Sequence, residues 1–319
     1  MEMMDFEKWV FDNFGTNVDE FVELLDMSPS SKGYIQGAAS ELELKKHLES
    51  LGYVVERIKE KPSGGFDEKK SGYKGDFLIH KVGEPYFVVE CKGIKTNAEF
   101  RSAEETENFT KILSRKKAIN FLKKYINIDK NKIYNKGYKG YCKRKEKWEK
   151  AHPGRKYPKF SWEINTAGPD SPDLTQFFST AKDIEKFVNS QPDSVFTEEA
   201  FRNGVGLYKM LQTHKPSKRK DPETGYEIAA PLKNDFSLLA VDLFQRIGEH
   251  KFVFVNPDTI SSSPEYPNHL YQNYLIDIII PGIKNDLDIK LPWYENVDLC
   301  IKETRPRTVE YDISQLDHR

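Results

Sequence analysis

The chain has 319 residues, long enough for about two domains of ordinary size or one elaborated domain, so a small disulfide-stapled scaffold is excluded. Hydrophobic residues make up 38% and charged residues 31%, against about 25% charged in an average globular protein, yet 20 Phe, 16 Tyr and 4 Trp argue against disorder. No secretion signal or membrane span is expected, and three widely spaced cysteines without a CxxC pair suggest neither a disulfide framework nor a zinc site and fit a reducing cytoplasm.

In chain order, helices are predicted over Asp5 to Phe14 and Val18 to Met27, broken at Gly15-Thr16-Asn17 and followed by a linker from Ser28 to Gly33. A helix from about Gln36 to Leu51 precedes strands at Tyr53 to Ile58, Asp76 to His80 and Tyr86 to Cys91, the last two joined by a turn at Gly83-Glu84-Pro85. A long helix is expected over Ala103 to Tyr125, then loops or broken elements, since Gly137, Gly140, Pro153, Gly154 and Pro158 interrupt the following stretch. Helices are expected at Asp173 to Asn189, Thr197 to Thr213 and Asp235 to Glu249, and strands at Lys251 to Val255, Tyr274 to Ile280 and Thr308 to Ile313. The resulting division is an N-terminal helical segment (1–35), an α-β-β-β core (36–126), a basic and aromatic region with helices (127–222) and a C-terminal α/β region (223–319) that completes the core or forms a dimer interface.

The formal charge of −1 hides an asymmetry. Between Lys123 and Lys159 fourteen Lys and Arg face three acids, a local excess of eleven positive charges. Tyr134, Tyr138, Tyr141, Trp148 and Tyr157 are interleaved with them. Cations bind phosphates and flat rings stack on bases, so Lys136, Lys139, Lys143, Arg144, Lys145, Lys147, Trp148, Arg155 and Lys156 are candidate DNA-binding residues. The alternative is a solvated lysine-rich excursion.

The chemistry-bearing pattern lies earlier. Alternation along Val88-Val89-Glu90-Cys91-Lys92 sends Glu90 and Lys92 to one face of their strand. The hairpin turn lies midway between Asp76 and Glu90, which brings both carboxylates to the same end. On the preceding helix Gly37, Glu41, Leu44, Leu48 and Leu51 form one stripe at steps of four and three, so Glu41 is expected to point inward, while Ser40, Glu43, His47 and Ser50 fall on the polar side. Unpaired buried carboxylates are costly, so three converging beside one cation describe a divalent-metal site. A rival grouping, Asp277 with Asp288-Ile289-Lys290, repeats the spacing where Pro281, Gly282 and Pro292 leave little room for a second strand. The seven histidines form no HxH or HExxH pair, and no phosphate-binding Gly-x-x-x-x-Gly-Lys-[Ser/Thr] loop is present.

Gly75-Asp76, then Glu90-Cys91-Lys92, preceded by a helix bearing Glu41, resembles the active-site pattern of the PD-(D/E)xK nuclease superfamily, which includes most type II restriction endonucleases and archaeal Holliday-junction resolvases. The resemblance covers residues 36 to 95, with Gly75 where the proline of the motif would stand. It implies a restriction-endonuclease-like α/β fold, an α-β-β-β-α-β mixed sheet flanked by helices, with added helical and loop elements. It further implies Mg²⁺ held by Asp76 and Glu90 with Glu41 assisting, and Lys92 orienting the attacking water or stabilising phosphate charge. The activity implied is hydrolysis of double-stranded DNA by a homodimer, without a membrane or a nucleotide cofactor, most like a sequence-specific type II restriction enzyme. A repair or phage-defence nuclease directed by structure or modification, and a DNA-binding protein with a vestigial core, are the competing readings.

Overall fold

The computed structural model describes residues 6–59, 73–93, 114–123, 126, 130–160, 178–193, 206–207, 219–220, 227–228, 231–260, 262, 268–270, 276, 278–279, 289 and 291–317. Helices α1 (Phe6–Phe14) and α2 (Val18–Met27) precede α3 (Pro29–Ser50). Asn17 caps α2 with a reciprocal capping box to Glu20. The linker expected at Ser28 to Gly33 is instead the first turn of α3, because Pro29 at its start has no N–H to leave unpaired and its fixed φ suits a helix.

The centre is a five-stranded mixed sheet. Strands β1 (Val54–Arg57), β2 (Phe77–His80) and β3 (Phe87–Gly93) form an antiparallel meander. Strand β7 (Leu238–Asp242) then pairs parallel to β3, and β8 (Phe252–Val255) antiparallel to β7, giving the order β1-β2-β3-β7-β8. Short pairs β4 (Gly206–Leu207) with β9 (Ile278–Ile279), and β5 (Arg219–Lys220) with β6 (Glu227–Ile228), lie outside this sheet. The remaining α-helices among the described residues are α4 (Arg115–Leu122), α5 (Lys130–Ala151), α6 (Ala181–Ser190), the single turn α7 (Phe244–Ile247) and α8 (Val297–Thr304).

Both faces of the sheet are covered. On one, Leu44 and Leu48 of α3 and Val297 and Cys300 of α8 pack against Val55, Phe77, Ile79, Val89, Cys91, Ala240 and Phe254. On the other, Leu78, Val88, Leu239, Val241, Val253 and Val255 meet Trp293, Leu316 and neighbouring chain. Burying a side chain such as Leu48 contributes about 1.5–3 kcal/mol, so α3 is held chiefly by this contact. Leu44 and Leu48 of the expected inward stripe are buried, but toward its N-terminal end Ser40 is the buried residue, whereas Glu41 is half-buried at the margin.

Several sequence expectations are corrected. The apolar run Leu238–Asp242, predicted as part of a helix, is a strand buried on both faces, a case that periodicity does not distinguish from a buried helix. Gly206 and Leu207, predicted as helical, pair as strand with Ile278 and Ile279. Over 308–313 no strand runs; Val309 makes one bridge to Tyr86 before a 3₁₀ turn at Ile313–Gln315. Of the stretch predicted as loops or broken elements, the part bearing Pro153, Gly154 and Pro158 is non-helical as expected, whereas Lys130–Ala151 is instead the 22-residue helix α5. Gly137 and Gly140 each cost it about 1 kcal/mol relative to alanine, and aromatic packing offsets this: Tyr141, Trp148 and Tyr157 form a separate core with Cys142 and Phe160.

Candidate active site

Asp76 stands immediately before β2 and opposite Glu90, since the register pairs Phe77 with Val89. Its N–H donates to Val89 O at 2.9 Å, and its carboxylate Oδ2 accepts from the Cys91 N–H at 2.7 Å. The strand pairing therefore fixes the side chain through backbone groups of the neighbouring strand. Gly75 makes this approach possible, because a Cβ there would lie 2.5 Å from Val88 Cγ1 and 2.9 Å from Val89 O. The absence of the motif's proline is thus matched by a steric demand for glycine.

Glu90 is 5% exposed and lies in β3. Lys92, two residues on and on the same face, places Nζ 2.5 Å from Glu90 Oε1. Burial pushes the Asp76 carboxyl up to about 8, the negative charges of Glu90 and Glu41 add to the rise, and Lys92 and the Cys91 N–H oppose it. Burial acts to lower the Lys92 pKa, but the charges of Glu90 and Asp76 outweigh it and hold the ammonium well above its ordinary range. The result is a pair of carboxylates on adjacent strands beside one cation.

Glu41 faces this pair from α3 closely enough for its charge to act on Asp76, and its Oε2 lies 3.2 Å from Arg57 Nη2 of β1. Among the described residues no three His, Cys, Asp or Glu side chains gather in metal-ligating geometry. Asp76 and Glu90 nevertheless fit Mg²⁺: two hard-oxygen carboxylates, one destabilised in its charged form by the other, suit an ion that commonly takes one or two carboxylates and completes its shell with water and substrate phosphate. The rival residues Asp277, Asp288 and Lys290 lie outside the described residues.

Helix α5 sorts the basic segment into faces. Lys132, Lys136, Lys139, Lys143, Lys147 and Lys150, at steps of four and three, are all exposed and form one ridge. On the other side Tyr134, Tyr138 and Tyr141 stack on one another at 6.0 Å spacings, and Phe160 meets Tyr134 and Tyr138 edge-on and Tyr141 tilted. Arg144 and Lys145 are half-buried, and Arg155 and Lys156 are exposed in the segment after the helix. Trp148, a candidate for stacking on bases, is 1% exposed and packs between His152 and Tyr157, so its ring is committed to the helix's own core. Tyr141 is likewise buried, its hydroxyl donating to Pro158 O at 2.7 Å.

Sequence reasoning missed a third group. Asp242, 1% exposed at the end of β7, accepts Ser40 Oγ–H at 2.7 Å and lies 2.7 Å from His250 Nδ1. It is the parallel-register partner of Gly93, the residue after Lys92. An acid closing an apolar run, as Glu90 does, was its available signal, but Ser40 is 202 positions away.

No protein-family model, no curated protein and no solved structure matches the chain.

Proposed function

We propose that the protein is a Mg²⁺-dependent endonuclease of double-stranded DNA, built on a restriction-endonuclease-like core and most similar to sequence-specific type II restriction enzymes. The observation that carries this reading is the union of Asp76 with Glu90-Cys91-Lys92 on adjacent strands of a mixed sheet. An antiparallel meander continued by a parallel strand supports the core assignment beside the resemblance. A bound Mg²⁺ supplies Lewis-acid stabilisation of the charge that grows on a phosphodiester under attack. Asp76 and Glu90 would hold it through hard carboxylate oxygens. Lys92, oriented by Glu90 at 2.5 Å, adds a fixed positive charge where the transition state needs one. The exposed lysine ridge of α5 supplies cations for phosphates, which orient a duplex without reading its sequence.

Supercoiled plasmid incubated with and without Mg²⁺ tests the reading. Cleavage that needs Mg²⁺ and falls by several orders of magnitude in Asp76→Ala and Glu90→Ala, with DNA binding retained, is expected; equal cleavage by these variants would refute it. A homodimer matching two-fold DNA symmetry is part of the proposal, and sedimentation giving a monomer both free and on DNA would remove that part.

A further inference from the structure

Asp242 is held by donors from two further parts of the chain. Its Oδ2 receives the Ser40 hydroxyl of α3 and faces His250 Nδ1 before β8, each at 2.7 Å, and its Oδ1 accepts the Phe244 N–H at 3.0 Å. An ionised Asp242 only accepts, so Nδ1 is the donor in this contact. The ring of His250 also stacks on Phe244 with centroids 4.4 Å apart. Ser40 directs its proton to Asp242 and not to His250, so this is no nucleophilic triad. Its mechanical meaning lies in what it joins: the strand end beside Gly93, and the α3 residue immediately before Glu41.

We infer that the Ser40–Asp242–His250 cluster is a positioning clamp that sets where α3 presents Glu41 to the Asp76–Glu90 pair, and thereby tunes cation binding there. This rests on the nuclease reading of that pair. Leu44 and Leu48 fix the helix to the sheet, but apolar contacts tolerate sliding; the Ser40 hydrogen bond is a directional contact on the helix one residue before Glu41. Arg57 of β1 restrains the carboxylate at 3.2 Å. Glu41 is therefore held at its backbone by Ser40 and at its tip by Arg57.

The test measures free Mn²⁺ by electron paramagnetic resonance during titration of the full chain without DNA, in parallel with plasmid cleavage. Ser40→Ala is expected to weaken Mn²⁺ binding about tenfold, the scale for residues that orient ligands, and Glu41→Gln by a similar factor. The double variant should be no weaker than the weaker single, because Ser40 acts through Glu41. Wild-type affinity in Ser40→Ala, or losses that multiply to about a hundredfold in the double variant, would overturn the clamp. Should Ser40→Ala melt early, His250→Gln, which retains a donor for Asp242, is expected to keep the affinity that His250→Ala loses; equal loss in both would also overturn it. A wild-type chain that binds Mn²⁺ but leaves DNA intact refutes the nuclease reading and leaves the clamp to the titration. One that does neither refutes both.

Discussion

Neutralising the ridge of α5 gives a prediction whose size follows from helix geometry. Lys132 to Lys150 spans about 27 Å at 1.5 Å per residue, and a four-residue step of about 6 Å lets successive lysines follow a phosphate backbone. Six phosphate contacts correspond to a log-log salt slope of about −5.4. Replacing Lys136, Lys139, Lys143 and Lys147 by glutamine should make the slope shallower by up to about 3.6. Between 50 and 200 mM salt the wild-type affinity would then fall about 2000-fold and the variant's about twelvefold. Fluorescence anisotropy with labelled duplexes of several sequences measures this, in Ca²⁺ to prevent cleavage. The loss should be the same for every sequence. Arg144 and Lys145 lie off the ridge and are half-buried, with Lys145 Nζ 4.0 Å from Glu149 Oε1, so neutralising them should change the slope less. An unchanged slope in the fourfold variant would refute the ridge as a DNA grip.

Ca²⁺ should support DNA binding without turnover, because its looser and larger coordination does not reproduce the near-octahedral geometry of Mg²⁺; rapid cleavage in Ca²⁺ alone would contradict the metal assignment. Gly75→Ala should cost roughly 1–3 kcal/mol in urea unfolding, because the new methyl meets backbone at Val89 O, and a wild-type midpoint would show that β2 and β3 separate freely. The ring of His47 lies against Phe252 and Phe254, and burial lowers its pKa below the ordinary value. The unfolded chain then binds more protons than the folded one, so stability is lost as pH falls through about 6.5. His47→Gln should reduce that loss between pH 7.5 and 5.5 in urea titrations, and an identical pH trend in wild type and variant would refute this account.

What the sequence reveals depends on how local the determining contact is. Asp76, Glu90 and Lys92 belong to one hairpin, where turn position and alternation settle their meeting without reference to the rest of the chain. Helical spacing puts Ser40 on the polar side, yet it is buried, because the partner that draws it inward, Asp242, comes 202 positions later and beyond any local pattern. Strand β7 was missed for a related reason: its side chains are buried on both faces, which removes the alternation that marks a half-exposed strand. In α5 the glycines were read as breakers, whereas the rings that hold the helix, Tyr157 and Phe160, lie beyond its end.

The parallel pairing of β3 with β7 also sets a timetable for the chain as it is synthesised. Val88 N–H waits for Ser237 Oγ, 149 positions later, and the edge of β1 waits longer, since Lys59 N–H is paired by Gln315 O and Asp317 N–H by Arg57 O. At 5–20 residues per second the hairpin bearing Asp76 and Glu90 emerges roughly 7–30 s before its neighbouring strand. During that interval the hydrogen-bonding edge of β3 is open, a template for mispairing with other chains. Closure of the sheet is a late, high-contact-order event, and the carboxylate pair gains its supporting strand and its clamp in the same step. A fragment ending before β7 would carry the motif residues but lack that support, and should accumulate as aggregate rather than as a small nuclease.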